Sequence, residues 1–111
     1  MVVTKENVVT WQGDIWAGAI RTQLWLAHLA ASRDRLLLTG PLGVQYELSA
    51  DQVKKVEPAV GKFLWWKWRV PRAIRIVHRH SAIADKLVFQ AKTTTATEML
   101  QALKEIGYNV P

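Results

Sequence analysis

The residues best suited to chemistry lie in one basic aromatic segment that runs from Lys62 to His80. This segment contains six Lys and Arg residues and no Asp or Glu. The rest of the chain carries nine basic and nine acidic residues, so the net charge of +6 originates in this segment alone. Because the excess is local, it indicates a surface feature rather than a general solubility effect.

Aromatic and cationic side chains are interleaved at the start of this segment, in the run KFLWWKWR. The aromatic content predicts a strand over Lys62–Val70. Alternation along that strand would place Phe63, Trp65, Lys67 and Arg69 on the face opposite Trp66 and Trp68. The candidate binding surface comprises Lys62, Phe63, Trp65, Lys67, Arg69, Arg72, Arg75 and Arg79.

Three uses of this surface follow from its chemistry. The first is structural, with both faces covered by the sheet and by a second subunit or the N-terminal segment, which would make the protein a homo-oligomer. The second is docking on an anionic membrane surface, because Trp suits the interface and each nearby cation gains about 1 kcal/mol there. The third, which we rank last, is single-stranded nucleic acid, bound by stacking and phosphate contacts.

Histidine and serine residues offer little for catalysis or metal binding. In a strand, His78 and His80 would lie on one face about 7 Å apart. However, the chain has no Cys, and no carboxylate lies nearby at ligand spacing, so we expect a half-buried His78 beside a turn residue, His80. Ser81 follows His80 directly and would face the other way. No nucleophile elbow or phosphate-binding Gly loop occurs, which predicts a protein that is not an enzyme and uses no metal or cofactor.

Composition limits the remaining classes. A chain of 111 residues is the size of one domain, and the absence of Cys excludes disulfides and weakly favours a reducing compartment. Met1–Thr10 has no long apolar stretch, so it does not resemble a signal peptide. The longest charge-free runs have eleven residues, whereas a transmembrane helix needs about 20. We therefore expect a cytoplasmic protein, with peripheral membrane association as the alternative.

One C-terminal helix is predicted over Ala96–Ile106. Thr95 and Glu98 have the spacing of a capping box, and Gly107 stands where a helix commonly ends. The apolar stripe at helical spacing is Met99, Leu100, Leu103 and Ile106.

The earlier chain is predicted to be mostly strands. Residues 1–22 are left as a lead-in, in which Gly13 interrupts a short strand. Asp14–Ser32 is ambiguous, because its first half also suits a helical face capped by Asp14. A short element at Val53–Val56 is expected to end at Pro58, and Pro71 to break the next strand. Besides Lys62–Val70, strands are predicted at Leu26–Ala31, Arg35–Thr39, Val44–Leu48, Ala73–His80 and Lys86–Lys92.

This layout resembles the pleckstrin-homology (PH) superfold over Leu26–Gly107. Tyr46–Val56 is similar to the GRAM-like pattern, in which a strand runs into a polar turn and a Val-x-x-Val step. Ala73–His78, followed by Lys86–Phe89 and the helix, resembles small uncharacterised bacterial PH-like proteins. The resemblance implies a single domain of residues 1–111, built as a partly open antiparallel sandwich or barrel of six to seven strands. Residues 95–107 would form its capping helix.

The superfold hosts phosphoinositide binders, peptide binders and scaffolds, so the resemblance implies a fold more than an activity. Lipid-binding members hold inositol phosphates with a basic motif in the hairpin between their first two strands. The corresponding hairpin here, Ser32–Arg35, is short and carries an acid. We therefore expect a non-enzymatic binding or interaction module whose partner the sequence does not name.

Overall fold

The computed structural model describes residues 8–22, 24–63 and 65–111 and shows a mainly β protein with one helix. Its elements are β1 (Val9–Ala17), β2 (Ile20–Arg21), β3 (Ala27–Ala31), β4 (Arg35–Thr39), β5 (Gln45–Ser49), β6 (Val53–Phe63), β7 (Trp66–His78), β8 (Leu87–Ala91) and α1 (Ala96–Ile106).

All strand pairs are antiparallel, in the order β5-β4-β3-β1-β8-β7-β6. The two outer strands of this order, β5 and β6, do not pair in the described part of the chain, so the sheet is open. The predicted fold class, mainly β with one C-terminal helix and an open antiparallel sheet, is confirmed. Eight strands are present, where six to seven were predicted, because the two-residue β2 pairs with the end of β1.

The core lies on one face of this curved sheet and under the helix. Ile15, Phe89 and Ile74 are cross-strand neighbours on β1, β8 and β7, and each is almost fully buried. Met99 and Leu103 of α1 are fully buried in the same cluster. Alternate residues of adjacent strands thus supply one continuous apolar layer that the helix covers.

The helix forms where it was predicted, because its caps satisfy the backbone groups that a helix end leaves open. The Thr95 hydroxyl accepts from the Glu98 amide at 3.2 Å, and the Glu98 carboxylate accepts from the Thr95 amide at 3.4 Å. Gly107 then adopts a φ of +127°, which favours glycine. Ile106, the last residue of the predicted stripe, is half-buried rather than buried. No helix in the described ranges is long and apolar enough to span a bilayer.

Strand β1 passes through Gly13 instead of stopping there, and the helical alternative for the segment after it is wrong. Gly13 pairs with Ala27 of β3 on one side and with Ala91 of β8 on the other. A Cβ at this position would lie 2.0 Å from the Gln90 carbonyl oxygen, so only glycine permits the approach. The structure therefore places part of the expected lead-in at the centre of the sheet, while residues 1–7 lie outside the described ranges.

Pro58 and Pro71 do not end the strands in which they lie, contrary to prediction. Strand β6 continues past Pro58, and β7 runs through Pro71. Between the pairs Pro58↔Ile74 and Val60↔Arg69, β7 contributes more residues than β6, which is a bulge. Proline is tolerated at bulges and on edge strands, because it is not required to donate a ladder hydrogen bond there.

The segment after α1 forms hydrogen bonds with two separate parts of the open sheet, the β3–β4 turn and strand β6. The Tyr108 hydroxyl donates to the carbonyl oxygen of Ser32, in the β3–β4 turn, at 2.6 Å. The next residue, Asn109, accepts from the Val56 amide of β6 at 2.9 Å and donates to the Lys54 carbonyl oxygen at 3.2 Å. Hydrogen bonds from one short segment therefore reach both halves of the sheet.

Truncation of Leu103 to Ala should destabilise the protein by about 2–5 kcal/mol, because it removes buried methyl groups and leaves a cavity beneath α1. The measurement is the free energy of unfolding from urea titration. Leu42→Ala is the matched control, since Leu42 is fully exposed in the turn before β5 and should lose less than about 0.5 kcal/mol. Equal losses in the two variants would contradict this account of the core.

High pH should destabilise the wild type through Tyr108. Burial raises the pKa of Tyr108 to about 12 from the usual 10.0, and the nearby Asp34 carboxylate adds to the rise. The unfolded chain loses this proton at lower pH than the folded chain, so the free energy of unfolding should fall between about pH 10 and about pH 12.

Tyr108→Phe should lack this component of the pH dependence, and at neutral pH it should cost about 1–3 kcal/mol for the lost buried hydrogen bond. Urea titrations across this pH range measure both effects. Tyr46→Phe, at a half-buried position, is the control. An unchanged pH profile in Tyr108→Phe would rule out this assignment.

Candidate functional site

The basic aromatic segment is a hairpin, so the prediction of one strand over Lys62–Val70 is wrong. Strand β6 ends at Phe63, the chain reverses, and β7 begins at Trp66, which pairs with Phe63. Trp65 consequently lies in the turn and not on a strand face. The run has high strand propensity, but it lacks the Asn-Gly or Asp-Gly that usually reveals a tight turn. Lys62 and Lys67 lie at equal distances from the point where the chain reverses. This symmetric spacing was the feature of the sequence that could have indicated a hairpin.

The hairpin extends beyond the rest of the sheet as a two-stranded ribbon. Strand β8 pairs with β7 only at Ala73–Arg75. From there towards the turn, β7 is paired with β6 alone, through the register Val60↔Arg69 and Gly61↔Trp68. The molecule is accordingly elongated, with dimensions of 54 × 32 × 29 Å. A two-stranded ribbon is only marginally stable in water by itself, so the bulge that joins it to the sheet determines its position.

Apolar side chains are exposed on this ribbon. Trp65 is 84% exposed, Val60 is 56% exposed and Trp68 is 43% exposed. The Trp68 ring packs over Gly61, where a Cβ would lie 2.6 Å from the indole. The Trp68 indole therefore packs on the ribbon backbone, whereas the Trp65 side chain is exposed in the turn. Val60 was not among the predicted residues, and Trp68 was predicted on the face opposite the candidate binding residues Phe63, Trp65, Lys67 and Arg69.

The ribbon is uniformly basic. No Asp or Glu occurs between Pro58 and Arg72, whereas three Lys and Arg residues do, namely Lys62, Lys67 and Arg69. Lys62 and Lys67 are cross-strand partners in the β6–β7 ladder.

The structure divides the eight predicted residues among three places. Lys62, Phe63, Trp65, Lys67 and Arg69 belong to the ribbon. Arg72 lies at its foot, with a φ of +63° and a long contact of 3.5 Å from Nη1 to the Lys92 carbonyl oxygen. Arg75 lies further along β7, away from the turn, and Arg79 lies just after the end of β7. A strand of this length covers about 40 Å, so the eight residues do not form one surface.

The two distant arginines have local surroundings of their own. Arg75 is half-buried between its cross-strand neighbours Glu57 and Val88, and its Nε has no hydrogen-bond partner in the described part of the chain. Arg79 follows β7 and lies near Asp51. A hydrogen bond from the Ser49 hydroxyl lowers the pKa of the Asp51 carboxyl, and the charge of Arg79 adds a smaller effect in the same direction.

His78 has a structural role. Its side chain is buried, and Nδ1 accepts from the His80 amide at 3.0 Å. The ring proton therefore resides on Nε2, which donates to the Ala84 carbonyl oxygen at 2.9 Å. Both nitrogens are used in forming the turn before β8. Among the residues described, no group of three or more His, Asp or Glu side chains could hold a metal ion.

Comparison with known proteins identifies a fold relative and no family. No protein-family model matches the chain, and no curated protein matches it by sequence. Among solved structures, it is similar to the C-terminal domain of an unknown protein from Leishmania infantum. The TM-score is 0.61 at 12% sequence identity, over 91% of this chain and 84% of the other. This similarity concerns the fold, an open antiparallel sheet with a C-terminal helix, and carries no function.

Gly61→Ala should loosen the ribbon, because the added Cβ overlaps the Trp68 indole. Native-state cleavage by trypsin at Lys62 and Lys67 should become several-fold faster, while the global free energy of unfolding changes by less than about 1 kcal/mol. Val60→Ala, at the neighbouring exposed position, is the control and should leave the cleavage rate near that of the wild type. No acceleration in Gly61→Ala would contradict the packing of Trp68 on Gly61.

Proposed function

We propose that the protein is a non-enzymatic PH/GRAM-like binding module that docks on anionic membrane surfaces through the β6–β7 ribbon. The observation that carries the proposal is the 84% exposure of Trp65 at the turn of a ribbon that holds cations and no acid. An open antiparallel sheet with a single C-terminal helix supports the PH-like part of the proposal. On this proposal the protein is peripheral to the membrane.

The chemistry of the ribbon matches a lipid interface. An indole lies favourably between headgroups and acyl chains, and Val60 and Trp68 add further apolar surface at the same end of the molecule. Lys67 is exposed beside them and would remain at headgroup level. Each cation near an anionic leaflet contributes about 1 kcal/mol, so a few of them together with one inserted indole suffice for reversible docking.

Self-association and nucleic acid binding are less well supported by the same residues. Two ribbons facing each other would bring six like charges together without an acidic partner from this segment. Single-stranded nucleic acid requires successive free ring faces, yet the Trp68 ring already packs on Gly61. Self-association and nucleic acid binding are two of the outcomes that the vesicle experiment described next can distinguish.

Wild-type protein should cosediment with vesicles of phosphatidylcholine and phosphatidylglycerol and much less with phosphatidylcholine alone. The double variant Lys67→Gln/Arg69→Gln should bind about 30-fold more weakly, since each charge contributes about 1 kcal/mol. Binding should also weaken as the Debye length falls from about 10 Å at 0.1 M salt to about 3 Å at 1 M. Trp65→Ala should reduce binding at every salt concentration.

The matched control is Lys86→Gln/Lys92→Gln, which removes the same charge from exposed positions that flank β8. It should retain most of the binding, and all variants should keep the wild-type melting temperature. The proposal fails if wild-type protein does not bind anionic vesicles at low salt. A Trp65-dependent dimer, or tight binding to an oligonucleotide in the absence of vesicle binding, would replace membrane docking with the corresponding alternative.

A further inference from the structure

A second concave site lies at the foot of the ribbon, apart from the exposed turn. It is a cavity of about 670 Å³ between one face of α1 and the bulge that joins β6 and β7. The helix contributes Thr97, Leu100, Gln101 and Lys104, which recur at the spacing of one helical face. The volume falls within the range of about 300–1,000 Å³ that is typical of small-ligand sites.

The walls of this groove combine apolar side chains with the polar side chains of Thr95, Thr97 and Gln101. Three of the four prolines of the chain, Pro58, Pro71 and Pro111, line it. Val70 and Leu100 supply aliphatic surface between them. Proline has no backbone N–H, so the proline-lined part of the walls offers fewer main-chain donors to an extended peptide, which binds chiefly through main-chain hydrogen bonds. The described lining residues include no aromatic side chain.

The charge of the groove has one sign. Arg72 and Lys104 are the charged side chains among the described lining residues, and neither Asp nor Glu lines it. Arg72 comes from the bulge and Lys104 from the helix, so cations lie on both walls of a cavity whose lining also offers the aliphatic side chains of Val70 and Leu100. Such an arrangement complements a molecule with one aliphatic chain and an anionic end, since the chain is removed from water while the charge is paired.

We propose that this groove binds a single-chain anionic amphiphile, with its aliphatic chain against Val70, Leu100 and the prolines and its acidic group between Arg72 and Lys104. A carboxylate and a phosphate would satisfy the same cations, and the shared chemistry is the anionic head on an aliphatic chain. This inference does not depend on membrane docking by the ribbon, because the groove and the exposed Trp65 are separate surfaces.

Isothermal titration calorimetry tests the site with decanoate, decyl phosphate and uncharged decanol, each kept below its aggregation concentration. We expect saturable one-to-one binding of at least one of the two anions, and binding of decanol that is about tenfold weaker. Lys104→Gln should weaken anion binding about tenfold, whereas Lys86→Gln, which removes an exposed charge elsewhere, should not. Gln101→Trp should abolish binding by filling the groove from an exposed helix position.

Glu105→Trp is the matched control, because it adds the same ring to an exposed helix position that does not line the groove. It should bind the amphiphile as the wild type does. The inference is overturned if neither anion binds, if decanol binds as tightly as the anions, or if Gln101→Trp binds normally.

Gln101→Trp leaves the charge of the protein unchanged, so its cosedimentation with anionic vesicles should persist. Loss of amphiphile binding with vesicle docking intact therefore separates this site from the ribbon.

Discussion

The structure depends on how the open side of its sheet is covered. Strands β5 and β6 leave the core accessible between them, and α1 with its following segment occupies that opening. Leu103 fills the interior, and Tyr108 reaches the β3–β4 turn through a 2.6 Å hydrogen bond. Removal of this cover would expose the buried apolar layer beneath it to water, which is strongly unfavourable. The C-terminal residues are thus a structural component of the core rather than an appendage.

Because α1 and the segment after it complete the core, the β6–β7 ribbon can contain residues that would be unfavourable inside a core. Exposed tryptophan and a positive φ at Arg72 each oppose stability at the ribbon or its foot. Features of this kind accumulate where binding rather than folding determines the sequence. In the described part of the chain, β8 pairs with β7 only at Ala73–Arg75, so substitutions nearer the turn should leave that pairing intact.

Local patterns in the sequence predicted much of the fold and little of the site. The capping box at Thr95 and the alternation around Tyr46 depend on neighbours in sequence, and both gave the correct element. Pro58, Pro71 and Gly13 were misinterpreted because their roles are tertiary: two lie at a bulge next to an edge, and the third permits close contact with β8. The hairpin turn was missed because Trp65 and its neighbours carry no turn chemistry. The groove joins residues from the bulge to residues of α1, a proximity that sequence spacing cannot reveal.

The central position of β1 has a consequence for how the protein is made. It precedes the other described strands in the chain, yet half of β1 pairs with β8, and Tyr108 bonds to a residue 76 positions earlier. The nascent chain can form the β3–β4–β5 meander early, but it must hold β1 half-paired until the last strand and the helix have been synthesised. Such long-range closure slows folding and leaves apolar strands uncovered during translation. Completion of this sheet therefore waits for the segment that carries β8 and α1.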